Sequence, residues 1–276
     1  MTLAPEYVAA RTVLLDALAA LGRHRRNVIL VGAQAVYHHT GDGDLRVPVM
    51  TTDGDLALDT RGLADDPEIA QALRSAGFAA GTNPGRWVGR GAVALDLMVI
   101  PAQANTSKPG ARAARIPPHE RATARVTPGL EPALIDHQPL TITALEPTDS
   151  RTFDIRVAGP AALLVAKLIK IGERLDQSQT RPDRLKEKDA LDTFRILQAV
   201  STAELVAGLR THQDDANAQP VSATALTLLR LEGLSVAGAL PRLASTATLG
   251  DPTVAPSFVA LAEQLIASTE THPRLG

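Results

Sequence analysis

The segment Thr51-Thr52-Asp53-Gly54-Asp55-Leu56 places two carboxylates two residues apart. On an extended strand, residues i and i+2 point to the same face, so Asp53 and Asp55 would stand side by side and repel. Such a pair is costly unless a cation neutralises it, and hard oxygen ligands at this spacing suit Mg²⁺, or Mn²⁺, held together with substrate phosphates. A third carboxylate, Asp96, interrupts the apolar run Val93-Ala94-Leu95-Asp96-Leu97-Met98-Val99. If the two strands are neighbours, three acids share one site. That arrangement serves phosphoryl transfer, with one ion at the attacking hydroxyl and another at the triphosphate and its leaving pyrophosphate.

The competing reading of Asp53-Gly54-Asp55 is a hairpin turn, because Asp-Gly is a strong turn dipeptide. An EF-hand loop beginning at Asp53 fails, since Ala57 takes its fifth position and its sixth is not Gly. A dinucleotide-binding turn also fails, because Gly32 lacks the companion glycines of that fingerprint. His38 and His39 are adjacent on an expected helix and point about 100° apart, so they do not readily share one ion.

The elements that must position these acids can be read from periodicity. Residues 5–22 carry Tyr7, Ala10, Leu14, Ala17, Leu18 and Leu21 at helical spacing and end at Gly22. Val28 to Val31 reads as a buried strand, Gly32 as a turn, and the run from Ala33 as a helix. Residues 40–48 read as a loop, Leu56 to Leu58 as a second strand, 67–76 as a helix and 92–100 as a third strand. Residues 101–129 are polar and punctuated by proline, and strands follow around 140–145 and 153–157. Beyond Gly159-Pro160, residues 161–174, 186–199, 202–209 and 256–267 look helical. The expected fold is therefore α/β: a small mixed sheet flanked by helices over residues 1–158, then a helical lobe over 159–276 that closes over a cleft.

Composition sets the outer limits. The chain has 276 residues, 45% of them hydrophobic, which can supply a real core. With no cysteine, disulfides, thiolate zinc sites and cysteine nucleophiles are excluded, and a cytoplasmic location is expected. No apolar run approaches the ~20 residues of a membrane span, so no membrane partner is expected. A net charge of -2 argues against a protein that coats nucleic acid through bulk positive charge. Local basic clusters at Arg23 to Arg26, Arg112 to Arg125 and Lys167 to Lys188 could still hold phosphates.

These motifs, in order, resemble the nucleotidyltransferase superfamily and, within it, the AbiEii-like toxins that include the MenT-type enzymes of toxin–antitoxin pairs. Val28 to Gly32 with Ala33 looks like the family's glycine turn, Thr51 to Leu56 like its T-x-D-x-D-h signature, and Asp96 like its third acid. Leu163 to Leu168 with Arg174, followed by Lys188-Asp189-Ala190-Leu191-Asp192, looks like its helical Lys and K-D-x-x-D motifs. The resemblance spans roughly residues 28–197. It implies that Asp53, Asp55 and Asp96 hold the metal, and that Gly32, Ala33, Thr51, Lys167 and Arg174 bind the nucleotide. Asp189 would orient Lys167 or assist transfer, while Lys170 is left without a role. It also implies an NTP substrate, release of pyrophosphate, a tRNA acceptor and a cognate antitoxin as partner.

Two positions depart from the family pattern. Ala33 stands where a hydroxyl or second glycine is usual, and Val49 stands where an arginine is usual, the nearest being Arg46. Two alternatives stay open: transfer of the nucleotide to a small molecule such as an antibiotic, and a non-catalytic binding module of the same fold.

Overall fold

The computed structural model describes residues 3–41, 50–106 and 110–270. Helix α1 (Pro5–Leu21) begins at a proline whose fixed φ suits a first turn and stops at Gly22, where φ is +50°. Its residues Val13, Leu14, Leu18 and Leu21 are fully buried, each contributing on the order of 1.5–3 kcal/mol by leaving water. Strand β1 (Val28–Val31) leads through Gly32 into helix α2 (Gly32–Thr40). Strand β2 (Asp53–Leu58), helix α3 (Ile69–Ser75), and strands β3 (Ala79–Ala80), β4 (Arg86–Val88) and β5 (Ala94–Val99) follow. Strands β6 (Arg125–Val126), β7 (His137–Thr143) and β8 (Thr152–Ala158) complete the first half.

Among the described residues these eight strands form one mixed sheet, ordered β3-β4-β5-β2-β1-β8-β7, with β6 pairing β5 off that path. The two central pairings position the acids. Strand β2 runs antiparallel to β1 and parallel to β5. Helix α1 lies against β2 and β5, and α3 packs on α1.

The remainder is helical: α4 (Pro160–Asp176), α5 (Glu187–Ala199), α6 (Thr202–His212), α7 (Ala218–Gly233), α8 (Ala239–Ala247) and α9 (Val254–Glu270). Helix α4 packs against α5, α6 and α7, while α5 also packs against α8 and α9, where Phe194 stacks on Phe258. The chain thus has the expected mixed α/β fold with helices beside the sheet and a helical C-terminal region. Its contacts divide into two compact units, Met1–Ala35 with Pro48–Ala158 and Val36–Val47 with Gly159–Gly276. No described helix is long and apolar enough to cross a membrane.

Asp53-Gly54-Asp55 is strand, as the same-face reading of the two acids requires, and the competing turn does not form. Several expectations change in detail. The second strand, read at Leu56 to Leu58, already begins at Asp53. Residues 101–129, read as a polar connection, contribute β6 to the sheet. Strands β3 and β4 and helices α7 and α8 went unread: the strands are two or three residues long, and α7 carries Pro220, Ser222, Thr224 and Thr227, poor helix formers whose helix is made by tertiary packing. The loop expected from residue 42 on, with Arg46 and Val49, lies outside the described residues.

Candidate metal and nucleotide site

Alternation along β2 explains the site locally. Gly54 faces α1, where a Cβ would lie 3.2 Å from Leu95 Cδ1 and 3.5 Å from Leu14 Cβ, so this position must be small for the helix to approach. Asp53 and Asp55 therefore emerge together on the opposite face. Strand β5 then sets Asp96 directly opposite Asp55. One carboxylate oxygen from each of Asp53, Asp55 and Asp96 lies within 4.8 Å of the others. Asp96 is buried and the other two are half-buried.

The donor set fits a divalent cation on chemistry as well as spacing. Three hard oxygens converge at distances one ion can bridge, and like charges this close are repulsive without one. The fit extends to the turn. Gly32 has φ +68°, and a Cβ there would fall 2.0 Å from Asp55 Oδ2, so the backbone at the start of α2 rests on this carboxylate. The first N–H groups of a helix have no partner within it, which makes this turn a place for anions beside the acids.

Neighbours hold the acids in place. Thr51, fully buried, donates its hydroxyl to Asp53 Oδ1 at 2.9 Å. Buried Gln34 donates to the Asp53 carbonyl at 3.1 Å and accepts from Arg11 Nε at 2.8 Å. Arg11 also donates to the Thr143 carbonyl and to the Tyr7 hydroxyl. Ala33, at 4% exposure, presents a methyl where a hydroxyl was expected from the family pattern.

Two residues with no part in the sequence reading of the acid site surround Asp96. Arg125 Nη2 lies 3.1 Å from its Oδ2, and Arg86 Nη1 lies 3.6 Å from its Oδ1. These guanidiniums explain how a carboxylate persists in an otherwise apolar strand. Arg86 stands opposite Asp96 in the β4–β5 pairing, and Arg125 enters through β6. No local signal in the sequence joins either arginine to Asp96, because both pairings depend on very short strands. Arg125 also leaves the set of free basic residues that the sequence offers between 112 and 125.

Lys167, Arg174 and Asp189 form a second cluster, in the helical unit. Lys167, Lys170 and Arg174 share one face of α4 at spacings of three and four, and Asp189 and Asp192 share one face of α5. Lys167 Nζ lies 2.6 Å from Asp192 Oδ2 and 3.1 Å from Asp189 Oδ1. Lys170 Nζ adds a contact to Asp189 Oδ1 at 2.9 Å, and Arg174 donates to Asp189 Oδ2. Burial alone would lower the Lys167 value, but Asp192 and Asp189 together outweigh it and hold the ammonium well above the usual lysine range. Burial likewise acts to raise Asp189, yet Lys167, Lys170 and Arg174 hold it well below the usual carboxylate range. Lys167 is thus a buried, doubly paired cation with only 7% of its side chain exposed, whereas the side chain of Lys170 is 47% exposed. The partnership of Lys170 with Asp189 is not visible in the sequence motif.

A mixed sheet that gathers three carboxylates beside a glycine turn defines a protein able to hold a divalent cation against phosphates. The sequence matches the family described as Nucleotidyltransferase over residues 10–219, and the chain belongs to that family. Neither a curated protein nor a solved structure matches it.

Proposed function

We propose that this protein is a metal-dependent nucleotidyltransferase that moves an NMP from an NTP to a hydroxyl of an RNA acceptor, the 3′ end of tRNA, and releases pyrophosphate. The observation that carries this reading is the convergence of Asp53, Asp55 and Asp96 within 4.8 Å in a chain of the nucleotidyltransferase family. The acceptor oxygen forms a bond to the α-phosphorus while the bond to pyrophosphate breaks, and the hydroxyl proton leaves on the Asp96 side. Asp53, Asp55 and Asp96 are the ligands we assign to Mg²⁺ or Mn²⁺, which supplies charge neutralisation at the phosphates and a more acidic hydroxyl.

We assign Gly32 and Ala33, through backbone N–H groups, and Thr51, through its hold on Asp53, to positioning the nucleotide. Lys167 and Arg174 are assigned to the phosphates on the resemblance of their motif, with Asp189 fixing both. Arg174 keeps donors beyond the one given to Asp189, and a guanidinium held at one nitrogen is oriented for a second anion. Residues 1–158 would carry the catalytic half and 159–276 the helical lobe. The reading extends to a cytoplasmic toxin neutralised by a cognate antitoxin.

The test is to incubate the purified protein with Mg²⁺, each labelled NTP and total tRNA. Label on RNA and free pyrophosphate are expected, both lost in Asp53→Ala. Pyrophosphate without labelled RNA would favour a small-molecule acceptor, and no NTP consumption would favour a non-catalytic binding module. For the toxin role, overexpression should arrest growth and Asp53→Ala should relieve the arrest.

A further inference from the structure

Arg11 of helix α1 is 6% exposed, and among the described residues no carboxylate pairs with it. From its contacts we infer that Arg11 is a positioning residue for Asp53: by fixing the side-chain amide of Gln34 in one orientation, it holds the first acid of β2 where a divalent cation needs it. The inference rests on the metal-site reading above and deepens it.

The pairing of β1 with β2 leaves a gap at this acid. Val31, the last residue of β1, stands opposite Asp55, so in continued register residue 33 would stand opposite Asp53. The turn at Gly32 carries Ala33 into α2 instead, and Asp53 lies past the end of the β1 ladder. A backbone carbonyl taken from water without a partner is costly. Gln34, one residue further along α2, fills the place, because its Nε2 donates to the Asp53 carbonyl at 3.1 Å. A side chain thus does for Asp53 what a strand does for Asp55, while on its other side Asp53 pairs with Ala94 of β5.

An amide can present either end. Turned over, Gln34 would point Oε1 at the carbonyl, two acceptors facing each other. The group behind it excludes that orientation. Arg11 donates Nε–H to Oε1 at 2.8 Å, and a guanidinium carries donors and no acceptor, so it takes only one end of the amide. Gln34 is 1% exposed, so solvent does not stand in for either contact. The bond from Arg11 is charge-assisted and polarises the amide, which strengthens the N–H that Asp53 receives. Arg11 is itself locked, with Nη1 donating to the Thr143 carbonyl at 2.8 Å and Nη2 to the Tyr7 hydroxyl at 3.2 Å. Those anchors lie on β7 and one turn back along α1, so elements away from the acids set the guanidinium plane.

A purely structural tie between α1 and the sheet would not need a charge. All three acceptors of Arg11 are neutral, and burial pushes its value below the usual arginine range, with Tyr7 offsetting part of that push. A buried guanidinium without a carboxylate is expensive, and a neutral side chain could bond the same carbonyl and hydroxyl at lower cost. A neutral amide or hydroxyl in its place could not refuse the flipped Gln34, because each of those groups also accepts. The donor-only cation is what fixes the amide, and the amide is what fixes Asp53.

The test uses the full chain and Mn²⁺ alone as the probe, with affinity read at neutral pH from the EPR signal of the free ion. Arg11→Met and Gln34→Leu are each expected to weaken Mn²⁺ binding about tenfold, as for lost supports behind metal ligands. The double variant should bind no more weakly than Gln34→Leu alone, because Arg11 acts through Gln34. Arg11→Lys, which also donates and cannot accept, should recover part of the affinity lost in Arg11→Met. Gln34→Glu separates positioning from packing: it keeps the bond from Arg11 as an ion pair and should fold at least as stably as wild type, but it offers no N–H to Asp53. Its added negative charge alone would tighten Mn²⁺ binding, whereas the inference expects binding about tenfold weaker. In the metal-free protein labelled with ¹⁵N-glutamine, the Gln34 side-chain amide, assigned by its absence in Gln34→Leu, should give one exchange-protected set of resonances that broadens or splits in Arg11→Met. Effects that multiply in the double variant, Mn²⁺ binding in Gln34→Glu as tight as wild type, or an amide signal unchanged in Arg11→Met each overturn the inference. A wild type that binds no Mn²⁺ overturns the metal reading instead, and the amide signal still decides whether Arg11 fixes Gln34.

Discussion

Asp55 and Asp96 face each other in register on the parallel strands β2 and β5, two like charges directly opposed across one strand spacing. Such a pair destabilises a sheet unless a counter-charge stands beside it. Arg125 and Arg86 supply part of that charge from the Asp96 side. Asp53, two residues back along β2 on the same face, completes the cluster, and a divalent cation would neutralise the remainder.

The first expected outcome follows from that imbalance. Mg²⁺ or Mn²⁺ should raise the melting temperature of the wild type, by about 2.7 kcal/mol of stability at a hundred times the dissociation constant, and EDTA should reverse the gain. Asp53→Asn and Asp55→Asn should lose the metal response and at least about 100-fold of transfer activity, while the metal-free protein melts no lower than wild type. A wild type whose melting ignores both ions would show that the cluster is not a metal site.

The acid cluster was legible because its parts are local: the spacing of Asp53 and Asp55 and the apolar setting of Asp96 are written in six- and seven-residue stretches. Asp53-Gly54-Asp55 could also have been a turn, and what decides for strand is tertiary, the closeness of α1 over Gly54. The counter-ions were not legible. Arg86 and Arg125 reach Asp96 through strands of three and two residues, whose register is set by neighbours rather than by any pattern of their own. In the helical half, the family resemblance placed Asp189 near Lys167, but how deeply Lys167 is buried and how Lys170 joins it depend on the packing of α4 on α5.

That burial changes what a lysine substitution should do. Lys167→Ala leaves Asp189 and Asp192 buried with less counter-charge, a loss of about 3–5 kcal/mol. Lys170→Ala removes a half-exposed partner and should cost no more than about 1 kcal/mol. Chemical denaturation at pH 7 checks the contrast. Because Asp189 lies below the usual carboxylate value of 3.8 when folded, its contribution is present above that pH and lost as acid protonates it. Lys167 lies above the usual 10.5, so its contribution holds below that pH and fades only in strong alkali. The network should therefore contribute a flat term from about pH 5 to 9, and equal costs for the two alanine variants would contradict the assigned geometry.

Acid sensitivity should arise elsewhere in the sheet unit, at His24. It is fully buried, gives Nε2–H to the Pro67 carbonyl at 2.7 Å, and meets the His119 ring edge-on at 5.4 Å. Burial pushes its value below the usual 6.5, with His119, Arg23 and Arg26 adding in the same direction. A depressed folded value means the neutral ring stabilises the fold above pH 6.5, and that contribution is lost as pH falls through the folded value. Melting should drop from pH 7 toward pH 5 more steeply in wild type than in His24→Asn. A smaller slope should survive in the variant, because burial and Arg156 also lower His137. Identical slopes would remove His24 as the cause.

The last prediction tests the joint between turn and acid. Gly32 adopts φ +68°, where an L-residue with a side chain is strained by roughly 1–2 kcal/mol, and its added Cβ would also overlap Asp55 Oδ2 at 2.0 Å. Asp55 cannot retreat freely, because its strand is paired on both sides, with Val31 opposite it on β1 and Asp96 on β5. Gly32→Ala should therefore cost at least about 2 kcal/mol, above the strain alone, and should abolish the metal-dependent rise in melting temperature even in the fraction that folds. Gly22→Ala is the control: φ is +50° there, yet a Cβ would meet nothing within 4 Å, so only backbone strain is added and the metal response should persist. If Gly32→Ala keeps the full metal response, the backbone of the turn does not rest on the carboxylate as described, and Asp55 reaches its ion by another route.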